Sequence, residues 1–228
     1  MKNYTLKGFS LLLLLLFCTA LGAQDFKVDG IYYNILSEED MTVAVTSHKD
    51  AERKPDKRYS GVVKIPSTVT YKKKDYKVAA IGTSAFNDCS ALTSIELSEG
   101  IAEIGESAFV YCNNLASIKI PESVTYIGSA AFLGCSSLTT FELPKSLKLI
   151  ENGALIGCSS ITSVVIPEGV ETISDGVFGN CSSLVNVVIP EGVTRVGIAA
   201  FSSCRALKNI KLPKSLTSIG NNAFEKCI

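Results

Sequence analysis

Residues 181–190 read CSSLVNVVIP, and the cysteine that opens them has six relatives on one 23-residue grid: Cys89, Cys112, Cys135, Cys158, Cys204 and Cys227. Around each the unit A-F-x-x-C-x-x-L-x-x-I-x-I-P-x-x-V-x-x-I-G returns. Residues 131–150 read AFLGCSSLTTFELPKSLKLI, and residues 177–196 read VFGNCSSLVNVVIPEGVTRV. Phe recurs at 86, 109, 132, 178, 201 and 224, with Leu155 in the remaining slot. Leu or Ile recurs at 92, 115, 138, 161, 184 and 207, and Pro at 121, 144, 167, 190 and 213, where Ser98 is the exception. Self-similarity at a fixed period of this size marks a stacked repeat.

The punctuation of the unit gives its shape. LVNVVI (184–189) is β-branched and apolar at alternate sites, a strand of about five to six residues. The proline ends it, having no N–H to give to a ladder. VTRVG (193–197) makes a second extended segment on the opposite side, and AAFSSC (199–204) is the compact return that buries Ala and Phe. One unit cannot bury its own apolar residues, whereas stacked units share one interior. The expected fold is a β-rich repeat solenoid of short parallel strands.

L-x-x-I-x-I-P followed by I-G-x-x-A-F-x-x-C resembles the 23-residue leucine-rich repeats of BspA-type bacterial surface proteins, over about residues 60 to 228. The resemblance implies a leucine-rich-repeat, right-handed superhelix and a role in adhesion or surface interaction. Glu151 and Ser174 occupy the usual Gly slot, so that slot does not demand a left-handed backbone.

The remaining chain divides around this array. Residues 1–23 carry Lys2 and Lys7, the apolar run FSLLLLLLFCTAL and then LGAQD, the pattern of a signal peptide cleaved after Ala23. Phe17 stands where a lipid-modification signal wants a small residue, which argues against anchoring at Cys18. The expected product is exported: secreted, at the cell surface, or periplasmic. Without the leader, 20 basic face 22 acidic residues, a net charge of −2 that offers no field for nucleic acid. Residues 24–60 read as a β-rich cap, with a hairpin at Asp29-Gly30, a strand in MTVAVTSH, and a charged loop at 48–58 whose Asp50, Glu52 and Asp56 offset its basic residues. The solenoid then spans 61–228. Its first coil carries an inserted hairpin at 71–80, expected to turn at Lys74-Asp75.

The cysteines are weighed by geometry. Stacked units bring equivalent Cα atoms to about 4.8 Å, within disulfide range, but every cysteine has the same surroundings, so a row of buried free thiols is the natural outcome. Neither C-x-x-C nor paired histidines are present to hold a metal, and no cofactor motif occurs. His48 is the one histidine and lies on no repeat, so no Cys-His or Ser-His nucleophile is evident.

The outer side of the main sheet is the candidate site. With Leu184, Val187 and Ile189 inward, an outward column runs Lys64, Glu96, Lys119, Glu142, Val165, Val188, Lys211, with Val185 beside it. The first four alternate in charge. Glu96 and Glu142 would stand about 9.6 Å apart, near the spacing of an inverting glycosidase, but with Lys119 between them neither is poised as a general acid. The valines break the polar pattern and suggest a contact patch. The reading is a non-catalytic binder of a protein or glycan surface. A self-assembling envelope subunit, pairing weakly as a homodimer through its C-terminal coil, is the alternative, and a glycan-acting enzyme ranks last.

Overall fold

The computed structural model describes residues 24–51 and 54–227. The expected leader with Cys18, and Glu52 of the charged loop, lie outside the described residues. In chain order the strands are β1 Phe26–Val28, β2 Ile31–Ser37, β3 Thr42–Thr46, β4 Gly61–Ile65, β5 Thr68–Tyr71, β6 Lys74–Ile81, β7 Leu92–Leu97, β8 Glu103–Ile104, β9 Ser117–Lys119, β10 Tyr126–Ile127, β11 Thr140–Glu142, β12 Leu149–Ile150, β13 Ser163–Val165, β14 Thr172–Ile173, β15 Asn186–Val188, β16 Arg195–Val196 and β17 Ser218–Ile219. The chain is a β-rich leucine-rich-repeat solenoid. Each 23-residue coil contributes a front segment, a rear strand and a return turn, and the front segment is a strand in every coil up to β15.

The N-terminal strands feed directly into the rear side. Asp29 and Gly30 both take positive φ, 47° and 85°, as the tight turn between β1 and β2 requires, and Val28 lies opposite Ile31. β2 pairs antiparallel with β3, and β3 then pairs parallel with β6, giving the order β1-β2-β3-β6-β8-β10-β12. Tyr33, Val45, Ile81, Ile104, Ile127 and Ile150 therefore fall in one inward row, and all are buried. The inserted hairpin is β5–β6, but Tyr71 opposes Lys74, so the chain turns at Lys72-Lys73 and not at Lys74-Asp75. Both lysines hold positive φ, 48° and 63°. The correction has a physical source: the ladder forces this conformation on residues that rarely adopt it and so do not advertise it.

On the front side β4, β7, β9 and β11 form one parallel sheet, and β13 and β15 form another. Ile95, Ile118, Phe141, Val164 and Val187 point inward and are buried. On the third side, Phe86, Phe109 and Phe132 stack nearly face to face at 5.0 and 5.1 Å, and Phe178, Phe201 and Phe224 at 5.3 and 5.4 Å. Tyr59 starts the column 4.6 Å from Phe86, and its hydroxyl donates to the Thr46 carbonyl, tying the loop before β4 to β3.

The recurrent glycine serves close approach. At Gly105 an added Cβ would stand 2.8 Å from the Thr83 nitrogen, and at Gly128 it would stand 2.6 Å from that of Glu106. Glycine there lets consecutive coils touch backbone to backbone. The left-handed residues of each turn come two and six positions later, as at Ser84 and Asp88 or Ser107 and Tyr111, mostly without glycine. Stacked backbone bonds such as Phe86 N–H to the Ala108 carbonyl hold them there.

All seven grid cysteines are free thiols, six buried and Cys227 partly so. Each thiol from Cys112 onward donates to the carbonyl of the Phe-slot residue one coil earlier, from Cys112 to Phe86 at 3.1 Å through Cys227 to Phe201 at 3.2 Å. A small apolar residue with one weak donor is what this position wants. Burial pushes the Cys89 and Cys204 thiols up to about 12, and raises Cys158 and Cys181 as well.

Candidate functional site: the front face

Strand register puts most of the candidate residues in one row. Lys64 opposes Glu96, Glu96 opposes Lys119, and Lys119 opposes Glu142, while Val165 opposes Val188 one sheet further on. Period-2 alternation sends all of them outward, because their neighbours Ile65, Ile95, Ile118, Phe141, Val164 and Val187 are buried. Val165, Val185 and Val188 are 61%, 57% and 47% exposed, so three β-branched side chains stand in solvent together. Lys211 departs from the expectation. It is exposed, but residues 207–212 form no strand, and the column as a strand feature ends at Val188.

The charges are less tightly coupled than their alternation suggests. Lys64 Nζ meets Glu96 Oε2 at 3.0 Å with both side chains largely exposed. Among the described residues Lys119 and Glu142 form no ion pair, leaving a cation and an anion free to meet a partner. They line an open groove of about 790 Å³ that runs over β9, β11 and β13. Its rim includes Glu99, Glu122 and Lys145, which the sequence reading left out. The signal for them was the charged residue that follows the proline slot in coil after coil. Glu99 accepts from the Glu122 and Ser123 N–H groups, and Glu122 from that of Lys145 at 3.0 Å, so these rim carboxylates also fasten one coil to the next.

Elsewhere the titratable groups are structural. His48 Nδ1 accepts from the Asp50 N–H at 2.9 Å, and the ring packs edge-on against Tyr32. Glu103, on the outer side of β8, is nearly enclosed, and that burial raises its pKa. The described residues bring together no group of three or more His, Cys, Asp or Glu able to hold a metal ion. No helix among them is long and apolar enough to cross a membrane.

Comparison with known proteins agrees with this architecture. The model of the BspA type leucine rich repeat region matches residues 63–185 and 171–228, in six copies. A leucine rich cell surface protein from Faecalibacterium prausnitzii is 31% identical with a TM-score of 0.77, over 89% of this chain and 52% of that one. The chain thus spans about half the length of that protein. A leucine rich repeat protein of T. pallidum is 26% identical with a TM-score of 0.62, over 81% of this chain and 91% of its own. A leucine-rich repeat protein from Eubacterium ventriosum is 28% identical with a TM-score of 0.62, over 86% and 50% respectively. No curated protein matches. With the 23-residue coil, its inward rows and its turn stack all in place, the chain belongs to the BspA-type leucine-rich repeat family.

Proposed function

We propose that the chain is an exported, non-catalytic binding protein of the cell surface whose front face seats a protein partner. One observation carries the reading: Val165, Val185 and Val188 stand exposed at the end of a row of alternating charge, beside a groove whose Lys119 and Glu142 are not committed to ion pairs. An apolar patch rimmed by charge is the usual composition of a contact surface. Rim charges steer and orient a partner, while the buried apolar centre supplies most of the affinity. The alternating column gives a partner a register to match, which a uniformly charged face does not.

The test begins with capture of surface and matrix proteins on the immobilised chain. It is completed with two variants: Val165→Glu with Val188→Lys on the front face, and Ile198→Glu, a residue 48% exposed on a return turn. A ligand retained by the Ile198 variant and lost by the double variant supports the reading. Equal capture by all three sinks it.

A second reading is self-assembly. Leu212 and Ile219 of the last coil described are 38% and 49% exposed, and a second copy of the chain would cover them. Sedimentation at rising concentration separates the two: a concentration-independent monomer is inconsistent with assembly.

A further inference from the structure

Several departures from the repeat fall at one junction in the middle of the array. β11 pairs with β9 but not with β13, so the front sheet divides there. The rear sheet divides at the same step, with β12 ending one ladder and β14 beginning the next. At this step the Phe column is broken by Leu155, and the front inward row swells to Phe141, whose ring stands edge-on 5.0 Å from Phe132. The outward column changes at the same place, from Glu142 to Val165.

The cause is visible in the glycine slot. Gly105, Gly128, Gly197 and Gly220 each give a backbone N–H to the rear strand of the previous coil, and Glu151 still does so at 2.9 Å to the Ile127 carbonyl. Ser174 follows Glu151, so two successive coils both carry a Cβ where the neighbouring slots leave no room for one. Here the backbone bond is replaced: the Ser174 hydroxyl donates to the Ile150 carbonyl at 2.6 Å. A side chain bridges where backbone met backbone.

The third side does not break. Across the same junction Gly153 N–H donates to the Asp175 carbonyl at 2.8 Å, Leu155 N–H to Val177 at 2.9 Å, and Gly157 N–H to Gly179 at 2.8 Å. Two sides without a backbone ladder and one side with its backbone bonds intact make the geometry of a hinge. The bonded side is also rich in glycine: Gly153 and Gly176 hold the left-handed turn position, φ 65° in both, which the other coils fill with Ser, Ala or Asn. Glycine adapts to a change of turn angle at the least steric cost.

We propose that the junction between the β11 and β13 coils is a hinge about the continuous turn stack, dividing the solenoid into two rigid arms. The groove crosses this junction, taking Lys119, Phe141 and Glu142 from one arm and Ser163 and Val165 from the other. Hinge motion therefore sets the groove's width, and a partner gripping both arms holds them at one angle. That consequence rests on the binding reading above; the hinge does not.

Electron paramagnetic resonance on spin-label pairs tests it in the Cys227→Ser background. Ser117→Cys with Asn186→Cys spans the junction in three coil steps, about 14 Å. Val62→Cys with Thr140→Cys spans three steps of the unbroken front sheet, and all four positions are exposed. The expected result is a distance distribution roughly twofold broader for the pair across the junction. Equal widths overturn the hinge whatever the chain binds. Adding Glu151→Gly and Ser174→Gly, which restores the slot, is expected to narrow the cross-junction distribution to that of the control. Should that variant fail to fold, the comparison in the parent still decides. If the hinge is found and no ligand narrows it, the binding reading alone fails.

Discussion

Phe132→Ala probes the interior at the last ring before Leu155 breaks the Phe column. The ring is fully buried, stacked on Phe109 at 5.1 Å and met edge-on by Phe141 at 5.0 Å. The backbone bonds of this residue, an amide to the Ala154 carbonyl and a carbonyl accepting the Cys158 thiol, survive the substitution, so the loss is one of packing. Truncating a buried Phe costs about 3–5 kcal/mol, of which the two ring contacts account for roughly 0.5–1.5 kcal/mol each. Phe224 occupies the same slot but is only partly buried and has one ring partner, Phe201, at 5.4 Å. Its truncation is expected to cost about 1–2 kcal/mol, nearer the bare transfer value of a partly buried side chain. Equilibrium urea unfolding followed by far-ultraviolet circular dichroism measures both, with the slope compared to confirm that the same surface unfolds. Equal losses at the two positions would refute the graded column. A change of slope for Phe132→Ala alone would instead mean that the arms on either side unfold separately.

Alkaline pH should weaken the fold through the thiols. An unfolded cysteine titrates near 8.5, whereas burial holds Cys89 and Cys204 at about 12 in the folded chain. The folded state keeps protons the unfolded state gives up, so this stability is complete below about pH 8.5 and is lost as pH rises toward 12. A urea midpoint that does not fall between pH 8 and 10 contradicts it. In the denatured, unreduced chain all seven grid thiols should react with a maleimide, and in the folded chain Cys227 should react first; three disulfides by mass spectrometry would overturn the packing of the row. Lys64 and Glu96 should couple by less than about 1 kcal/mol in a double-mutant cycle, both being well exposed. Val165→Glu with Val188→Lys should leave the melting curve nearly unchanged, within about 0.5 kcal/mol; severe unfolding would mean that the valines point inward.

What the sequence made legible follows from its period. The cysteine grid and the alternation in LVNVVI put Val187 inward and Val188 outward, because a strand leaves no third choice. The slot of Gly105 and its equivalents was legible as one that needs no left-handed backbone, while its use for contact between coils depends on which atoms of the next coil it meets. Lys72 and Lys73 hid the hairpin turn for a related reason: the conformation is imposed by the ladder around them. Glu151, Leu155 and Ser174 were visible as departures, yet that they act at one junction depends on which backbone atoms each Cβ would meet. The front column was legible as an outward row, while the groove, made by the rim residues Glu99, Glu122 and Lys145, needed the coils in three dimensions.

The thiol row carries a consequence for timing. A cysteine is shielded here by the coils stacked on either side of it, so its protection arrives with its neighbours and not with its own strand. In an oxidising compartment the seven grid cysteines of the unfolded chain are nucleophiles of nearly equal reactivity, and any two that meet before stacking can be joined in a disulfide that the folded chain lacks. If accretion starts from the N-terminal strands, shelter spreads from Cys89 toward Cys227 one coil at a time. The yield of native chain is then a race between two rates, coil deposition and thiol oxidation. A sequence that slows deposition at the Ser174 coil leaves Cys181, Cys204 and Cys227 as the last runners exposed.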